Sequence, residues 1–212
     1  MYLLRLYNTS LSFNEVHGMS HCPRIFCIGR NYLAHIEELK SSQMTQPAVF
    51  MKPYSSRVNH RQEIVIPRHG EPLHHEVEVV VEIGHAGQAT NETEAKTMIT
   101  GLALGLDLTL RETQQKLKHQ GFPWEIAKSF DGSAPIGPIS PYHNEFPLDQ
   151  IEFSGLVNDQ VQQQGNTSKM IHSIPQIIVY LSGIWRLQPD DLIFTGTPAG
   201  VGPLCAGDHI QL

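Results

Sequence analysis

The sequence predicts an α+β fold dominated by strands, with a few helices at its periphery. Three observations lead there. The run His74-His75-Glu76-Val77-Glu78-Val79-Val80-Val81 is rich in valine and alternates polar and apolar residues at the strand period. Gly (17) and Pro (14) are scattered along the chain, as expected where many short strands are joined by turns. Strand and helix patterns do not alternate regularly, which argues against a doubly wound parallel sheet.

The elements follow in order. Tyr2–Tyr7 is the first strand candidate, and Ile25–Ile28 and Ala48–Met51 are apolar runs of strand length. Between them Tyr32–Leu39 predicts a helix, with Asn31 available as its cap. Glu76–Ile83 is the valine strand, with valines 77, 79 and 81 on the face that buries. Glu92–Met98 predicts a helix capped by Asn91. Gly101–Thr109 reads as a strand with one leucine face and one polar face. Arg111–His119 predicts a polar helix stopped by Gly121. Ile151–Val157 and Leu192–Phe194 are strands. Ile174–Ile184 is a helix with Ser173 as its cap and Pro175 in the first turn, where its missing N–H costs little.

The 212 residues suit one large domain with a sizeable core. A net charge of −6 and a pI near 6.0 weigh against nucleic-acid binding. No apolar run approaches the roughly 18 residues of a membrane span, and Met1 to Ser20 lacks the apolar core of a signal peptide. Three cysteines, Cys22, Cys27 and Cys205, form no Cys-x-x-Cys pair, which suits a reducing, cytoplasmic setting.

On a strand, residues i and i+2 share a face, so Glu76 and Glu78 lie side by side with Cα atoms about 6–7 Å apart. Two carboxylates this close repel unless a proton or cation sits between them. A hard divalent cation is the natural guest, because it prefers oxygen ligands. Asp107, on the polar face of its strand, is the third candidate carboxylate; the plain alternative is that this face only meets solvent. Together the three would suit Mg²⁺ or Mn²⁺. Glu82 shares the face of Glu76 but lies about 20 Å along the strand, and reads as a solvated strand end. His74 and His75 point to opposite faces and read as supporting rather than ligating residues.

His35 and Glu38 are spaced i, i+3 on a predicted helix, where a carboxylate can orient an imidazole as a general base. Alone, such a pair is more often a surface contact. Lys128, in an apolar and aromatic stretch, is either a snorkelling lysine or a fixed positive charge for an anionic intermediate. The loop Thr195-Gly196-Thr197-Pro198-Ala199-Gly200-Val201-Gly202 lacks the ending of a P-loop. It is a glycine-rich turn, or a cradle offering N–H groups and the Thr197 hydroxyl to a carboxylate.

Taken in order, several segments resemble the fumarylacetoacetate hydrolase family, in particular its small single-domain members of the acylpyruvate hydrolase, oxaloacetate decarboxylase and 2-hydroxyhepta-2,4-diene-1,7-dioate isomerase type. They are Cys27-Ile28-Gly29-Arg30-Asn31-Tyr32 with His35 and Glu38, Phe50-Met51-Lys52-Pro53, His74-His75-Glu76-Val77-Glu78, Leu106-Asp107 with Arg111 and Gln114, Ala127-Lys128-Ser129-Phe130, and the Thr195–Gly202 loop. The resemblance implies a mixed β-roll or sandwich of that family's C-terminal-domain type, and a homodimer. Residues 1–212 would be one catalytic domain, with N-terminal strands in 1–20 and a lid in 30–47. It implies Mg²⁺ or Mn²⁺ on Glu76, Glu78 and Asp107, a water-activating dyad of His35 and Glu38, and Lys128 stabilising the developing anion. Arg30, Arg111, Gln114 and Thr197 would orient substrate.

The implied reaction is metal-dependent hydrolysis of a C–C bond in a small 2,4-dioxo acid, an acylpyruvate, through a pyruvate enolate stabilised by the cation. Decarboxylation of oxaloacetate, or isomerisation or decarboxylation of a dienoic 2-oxo acid, needs the same parts without the water. A reading of another class is a non-catalytic oligomeric scaffold stabilised by the metal. The chain departs from the family in two places. Asn158-Asp159 stands where Asn-Gly is common, so a tight turn there would require positive φ at Asp159. After Gly207 the sequence offers only a short or incomplete final strand.

Overall fold

The computed structural model describes residues 22–40, 45–144 and 146–212; the predicted strand Tyr2–Tyr7 and part of the predicted lid lie outside them. The chain runs through β1 (Ile25–Gly29), α1 (Leu33–Glu38), β2 (Ala48–Lys52), β3 (Arg57–Asn59), β4 (Leu73–His75), β5 (Val77–Ile83), α2 (Glu92–Thr97) and β6 (Ile99–Leu106). It continues through β7 (Thr109–Leu110), α3 (Arg111–Gln120), α4 (Glu125–Lys128), β8 (Ala134–Ile136), β9 (Ser140–Pro141), β10 (Glu152–Val157), β11 (Gln160–Asn166), α5 (Ile174–Ser182), β12 (Leu192–Phe194), β13 (Gly202–Leu204) and β14 (Ile210–Gln211). Strands dominate and the helices are few and short, as the composition predicts. Among the described residues no helix is long and apolar enough to cross a membrane.

The main sheet has the order β2-β1-β12-β5-β6-β8-β3, with β9 on β6. It is mixed: β1 runs parallel to β12 and β3 parallel to β8, and the other neighbours are antiparallel. Both faces of β5 are covered. Val77, Val79, Val81 and Ile83 enter the larger core with Ile174, Ile177, Ile178 and Leu181 of α5. Val80 enters a second cluster with Ile25, Cys27, Leu192 and Phe194. Burying each such side chain contributes roughly 1.5–3 kcal/mol, so the sheet is held from both sides. Two small sheets, β11-β10-β14 and β13-β4-β7, flank it.

Several caps follow the sequence closely. Asn91 accepts from the Glu94 N–H at 2.9 Å. Ser173 and Gln176 form a reciprocal capping box with Pro175 in the first turn of α5. Gly121 ends α3 at φ +69°. Asn158 and Asp159 both take positive φ, 50° and 62°, in the two-residue turn between β10 and β11. The two-residue β14 pairs with β10.

Five expectations are corrected. Asn31 does not cap α1; Tyr32 holds that position, with no side-chain cap. The Asn31 amide instead ties two distant loops, donating to the carbonyls of His172 at 3.0 Å and Thr195 at 2.8 Å. Predicted strand Glu76–Ile83 begins at Val77, because His74 and His75 belong to β4 in another sheet. Predicted strand Gly101–Thr109 likewise stops at Leu106 and resumes as β7 in that same small sheet. The alternation of leucines there does not sort into core and solvent, since Leu106, Asp107, Leu108, Thr109 and Leu110 are all buried. Glu82 is half-buried inside the main sheet, between Leu192 and Gly101, rather than a solvated strand end.

Candidate metal centre and active site

Glu76 and Asp107 occupy the corner where two antiparallel strands leave the main sheet for the small one. Val77 pairs with Leu106 in the main sheet, and His74 pairs with Thr109 in the small sheet. At the corner the Asp107 N–H donates to the Glu76 carbonyl at 2.8 Å. Free of ladder alternation, both side chains turn toward Glu78. The three carboxylates offer ligand oxygens that all lie within 4.8 Å of one another, and all three residues are buried.

Three cations stand against them. Lys128, at the end of α4, places Nζ 2.8 Å from Glu76 Oε2 and 2.7 Å from Asp107 Oδ2. Lys52, at the end of β2, places Nζ 2.9 Å from Asp107 Oδ1 and also donates to the carbonyls of Leu108 and Lys128. Arg111, opening α3, holds Glu76 Oε1 with one nitrogen and Gln114 Oε1 with another, the latter at 2.8 Å. Burial disfavours the Glu76 carboxylate, but Lys128 and Arg111 outweigh it and hold Glu76 well below the usual carboxylate range. Burial likewise opposes the Lys128 charge, and Asp107 and Glu76 hold its pKa up.

Glu78 differs. Its Oε2 accepts from the Gly196 N–H at 2.7 Å, yet among the described residues it forms no ion pair with a basic side chain. Burial, then the charges of Asp107 and Glu76, push its pKa well above the usual range. The cluster therefore lacks positive charge at Glu78, where a hard cation would sit among oxygen donors. The residues fit a divalent ion of the Mg²⁺ or Mn²⁺ kind. Three carboxylates and three basic side chains cancel, so such an ion would leave the centre two charges positive, ready for an anionic ligand.

The predicted dyad forms. His35, buried on α1, has Nδ1 3.1 Å from Glu38 Oε2. The other oxygen of Glu38 accepts from the Gly200 N–H at 2.9 Å, which docks α1 on the Thr195–Gly202 loop. That loop depends on two glycines. Gly196 (φ +103°) and Gly200 (φ +100°) are left-handed, and a Cβ would approach Asn31 Cβ to 2.6 Å and the Gln162 carbonyl oxygen to 2.2 Å.

All the predicted site residues except Glu38 and Asp107 line one cavity. It is a narrow cleft of about 30 Å³, partly open to solvent. Thr197 lines it, but its hydroxyl is committed: it donates to the Val77 carbonyl at 2.9 Å and accepts from Gln163 Nε2 at 2.8 Å. Arg30, at φ +60°, joins the wall. His74 and His75 stay out of the carboxylate cluster, as expected. His75 Nδ1 lies 2.9 Å from Gln163 Oε1, and burial, then Arg111, lowers His74 to about 4.

Some residues escaped the sequence. Gln163 links His75, Val77, Thr197 and Pro198 through one buried amide; it sits in the polar run Gln160–Asn166, which gives no apolar signal. Lys52 was visible only as part of the segment Phe50-Met51-Lys52-Pro53, with no role attached. Lys118 and Trp124 also line the cavity.

The model of the fumarylacetoacetate (FAA) hydrolase C-terminal family matches residues 24–212. The mitochondrial oxaloacetate tautomerase of Mus musculus is 40% identical over 187 residues, 88% of this chain and 85% of that protein. The oxaloacetate tautomerase of Escherichia coli is 41% identical over 191 residues, covering 89% and 87%. Among solved structures, fumarylpyruvate hydrolase from Pseudomonas aeruginosa in complex with Mn²⁺ and pyruvate superposes with a TM-score of 0.84 at 34% identity, covering 95% of this chain and 93% of that one.

Proposed function

The chain belongs to the fumarylacetoacetate hydrolase family, and we propose that it is a divalent-cation-dependent hydrolase of small 2,4-dioxo acids of the acylpyruvate kind. One observation carries this reading: His35, paired with Glu38 and docked through Gly200, lines the same cavity as Glu76 and Glu78 of the acidic triad. Glu76, Glu78 and Asp107 would hold the cation. When bound, it would supply Lewis-acid polarisation of the 2-oxo group.

The chain's own groups do the rest. Glu38 fixes the His35 ring through Nδ1, which leaves Nε2 as the basic nitrogen. His35 takes a proton from water, and the hydroxide adds to the distal carbonyl carbon. The bond from that carbon to C3, the carbon next to the 2-oxo group, breaks, releasing the acyl part as an acid while the electron pair flows onto the 2-oxo oxygen as an enolate. The Lys128 ammonium, held beside Glu76 and Asp107, would stabilise that charge as it develops and so favour the transition state over the ground state. Arg30, Arg111 and Gln114 would orient the acid head.

The 40% and 41% identity to proteins named oxaloacetate tautomerase favours a second reading. There His35 would move a proton between carbon and oxygen of oxaloacetate, with no water added. An assay of an acylpyruvate, oxaloacetate and a dienoic 2-oxo acid side by side, with Mg²⁺ or Mn²⁺, separates the readings. Hydrolysis should fall about 10²–10⁴-fold in His35→Ala. If the wild-type protein turns over none of the three, the scaffold reading replaces both.

A further inference from the structure

Helix α3 presents three residues to the cavity, Arg111, Gln114 and Lys118, at i, i+3 and i+7. These positions share one helix face. At 1.5 Å per residue, the first and last Cα atoms are about 10 Å apart. Arg111 and Gln114 are buried at the inner end, taken up with Glu76 and each other. Lys118 is half-buried, two turns further out.

An aromatic wall runs alongside. Lys128 Nζ stands 5.2 Å from the Phe50 ring centre, Phe50 packs on Trp124 at 5.9 Å, and Lys118 Nζ stands 5.1 Å over Trp124. The wall thus joins the ammonium at the carboxylate cluster to a second ammonium outside it. Among the described residues Lys118 forms no ion pair with a carboxylate. The charges that act on it are mostly like its own, those of Arg30, Arg111 and Lys128, with Glu76 the opposing one. A half-buried lysine facing like charges across a cavity is a standing cost to the fold, and an anion beside it would relieve that cost.

Resting on the reading of a 2-oxo acid head at the triad, the geometry points to Lys118 as the residue that binds a second, distal carboxylate, with Phe50 and Trp124 lining the carbon chain between. The protein is then selective for dicarboxylic 2-oxo acids over monocarboxylic ones of equal length.

Two five-carbon acids test this by calorimetric binding to the Mg²⁺- or Mn²⁺-loaded protein: 2-oxoglutarate, which has the second carboxylate, and 2-oxovalerate, which lacks it. Wild-type protein should prefer 2-oxoglutarate by about ten- to a hundredfold, the range of a charge-assisted contact. Lys118→Met should erase most of that ratio without weakening 2-oxovalerate, Lys118→Arg should keep it, and Lys116→Met, exposed on the same helix, should leave it unchanged. Equal wild-type affinities, an unchanged ratio in Lys118→Met, or equal loss of both acids would overturn the assignment while leaving the head site intact. Failure of wild-type protein to bind either acid would instead remove the 2-oxo acid reading itself, and this assignment with it.

Discussion

The backbone of Asp107 donates a 2.8 Å hydrogen bond to the backbone of Glu76, at the point where two strands change sheets together. That contact puts two residues distant in sequence at one corner. Their carboxylates meet Glu78, which among the described residues forms no ion pair of its own.

Glu78→Gln tests the charge balance. Gln keeps an oxygen for the Gly196 N–H and removes a buried carboxylate crowded by Asp107 and Glu76. In chelator the variant should melt no lower than wild type. With Mg²⁺ or Mn²⁺ at about a hundred times Kd, wild type should gain about 2.7 kcal/mol, or about 5–10 °C at 2–4 °C per kcal/mol, and the variant little. A variant that melts far below wild type in chelator would show that the carboxylate is not an electrostatic burden.

Lys52 is the buried counterweight. Its side chain is fully buried against Asp107, and removing one partner of such a pair costs about 3–5 kcal/mol. Lys52→Met should lower the melting temperature by on the order of 10 °C. Added divalent cation should recover part of the loss by supplying charge opposite Asp107. An unchanged melting curve would contradict this.

Gly200 should matter to both fold and dyad. Its φ is +100°, and an added methyl would stand 2.2 Å from the Gln162 carbonyl oxygen. Gly200→Ala should therefore cost about 1–3 kcal/mol in urea unfolding. It should also lower turnover, because the Gly200 N–H holds Glu38. Glu38→Gln should lower turnover with little change in stability. Equal stability of Gly200→Ala and wild type would remove the strain argument.

Lys118 gives a pH signature. Burial, then Arg30, Arg111 and Lys128, lowers its pKa from 10.5 to about 8. Between pH 8 and 10.5 the unfolded chain holds a proton that the folded one has released, so stability rises with pH across that window. Below pH 8 the full cost is present. Lys118→Met should therefore be more stable than wild type at pH 7, with the advantage fading by pH 10.5. The effect is small because the side chain is half in water. Urea midpoints at pH 7, 9 and 10.5 measure it; a variant weaker than wild type at pH 7 would mean that the Trp124 contact dominates.

Local chemistry was legible wherever it was decided locally. The valines of β5 have the strand period, Asn91 and Ser173 have the cap position, and Gly121 stops its helix, each through neighbours within a few residues. The i, i+3 spacing of His35 and Glu38 allowed the pair that forms, while the burial of His35 was not legible from that spacing. Asn31 shows where this fails. A cap and a long-range tie use the same amide, and only the positions of His172 and Thr195 decide between them. Gln163 shows it again, since a polar run cannot announce that one of its glutamines is buried.

From its residues alone the chain set the kind of centre it could build: three carboxylates, a histidine–glutamate pair and a lysine in an apolar stretch, with oxygen as the donor atom for a cation. Folding decided that the carboxylates meet at a sheet corner instead of lying along one strand face, and that Lys52 and Arg111 balance them. Strand periodicity is a property of a single segment, whereas charge balance and convergence depend on which segments pack together.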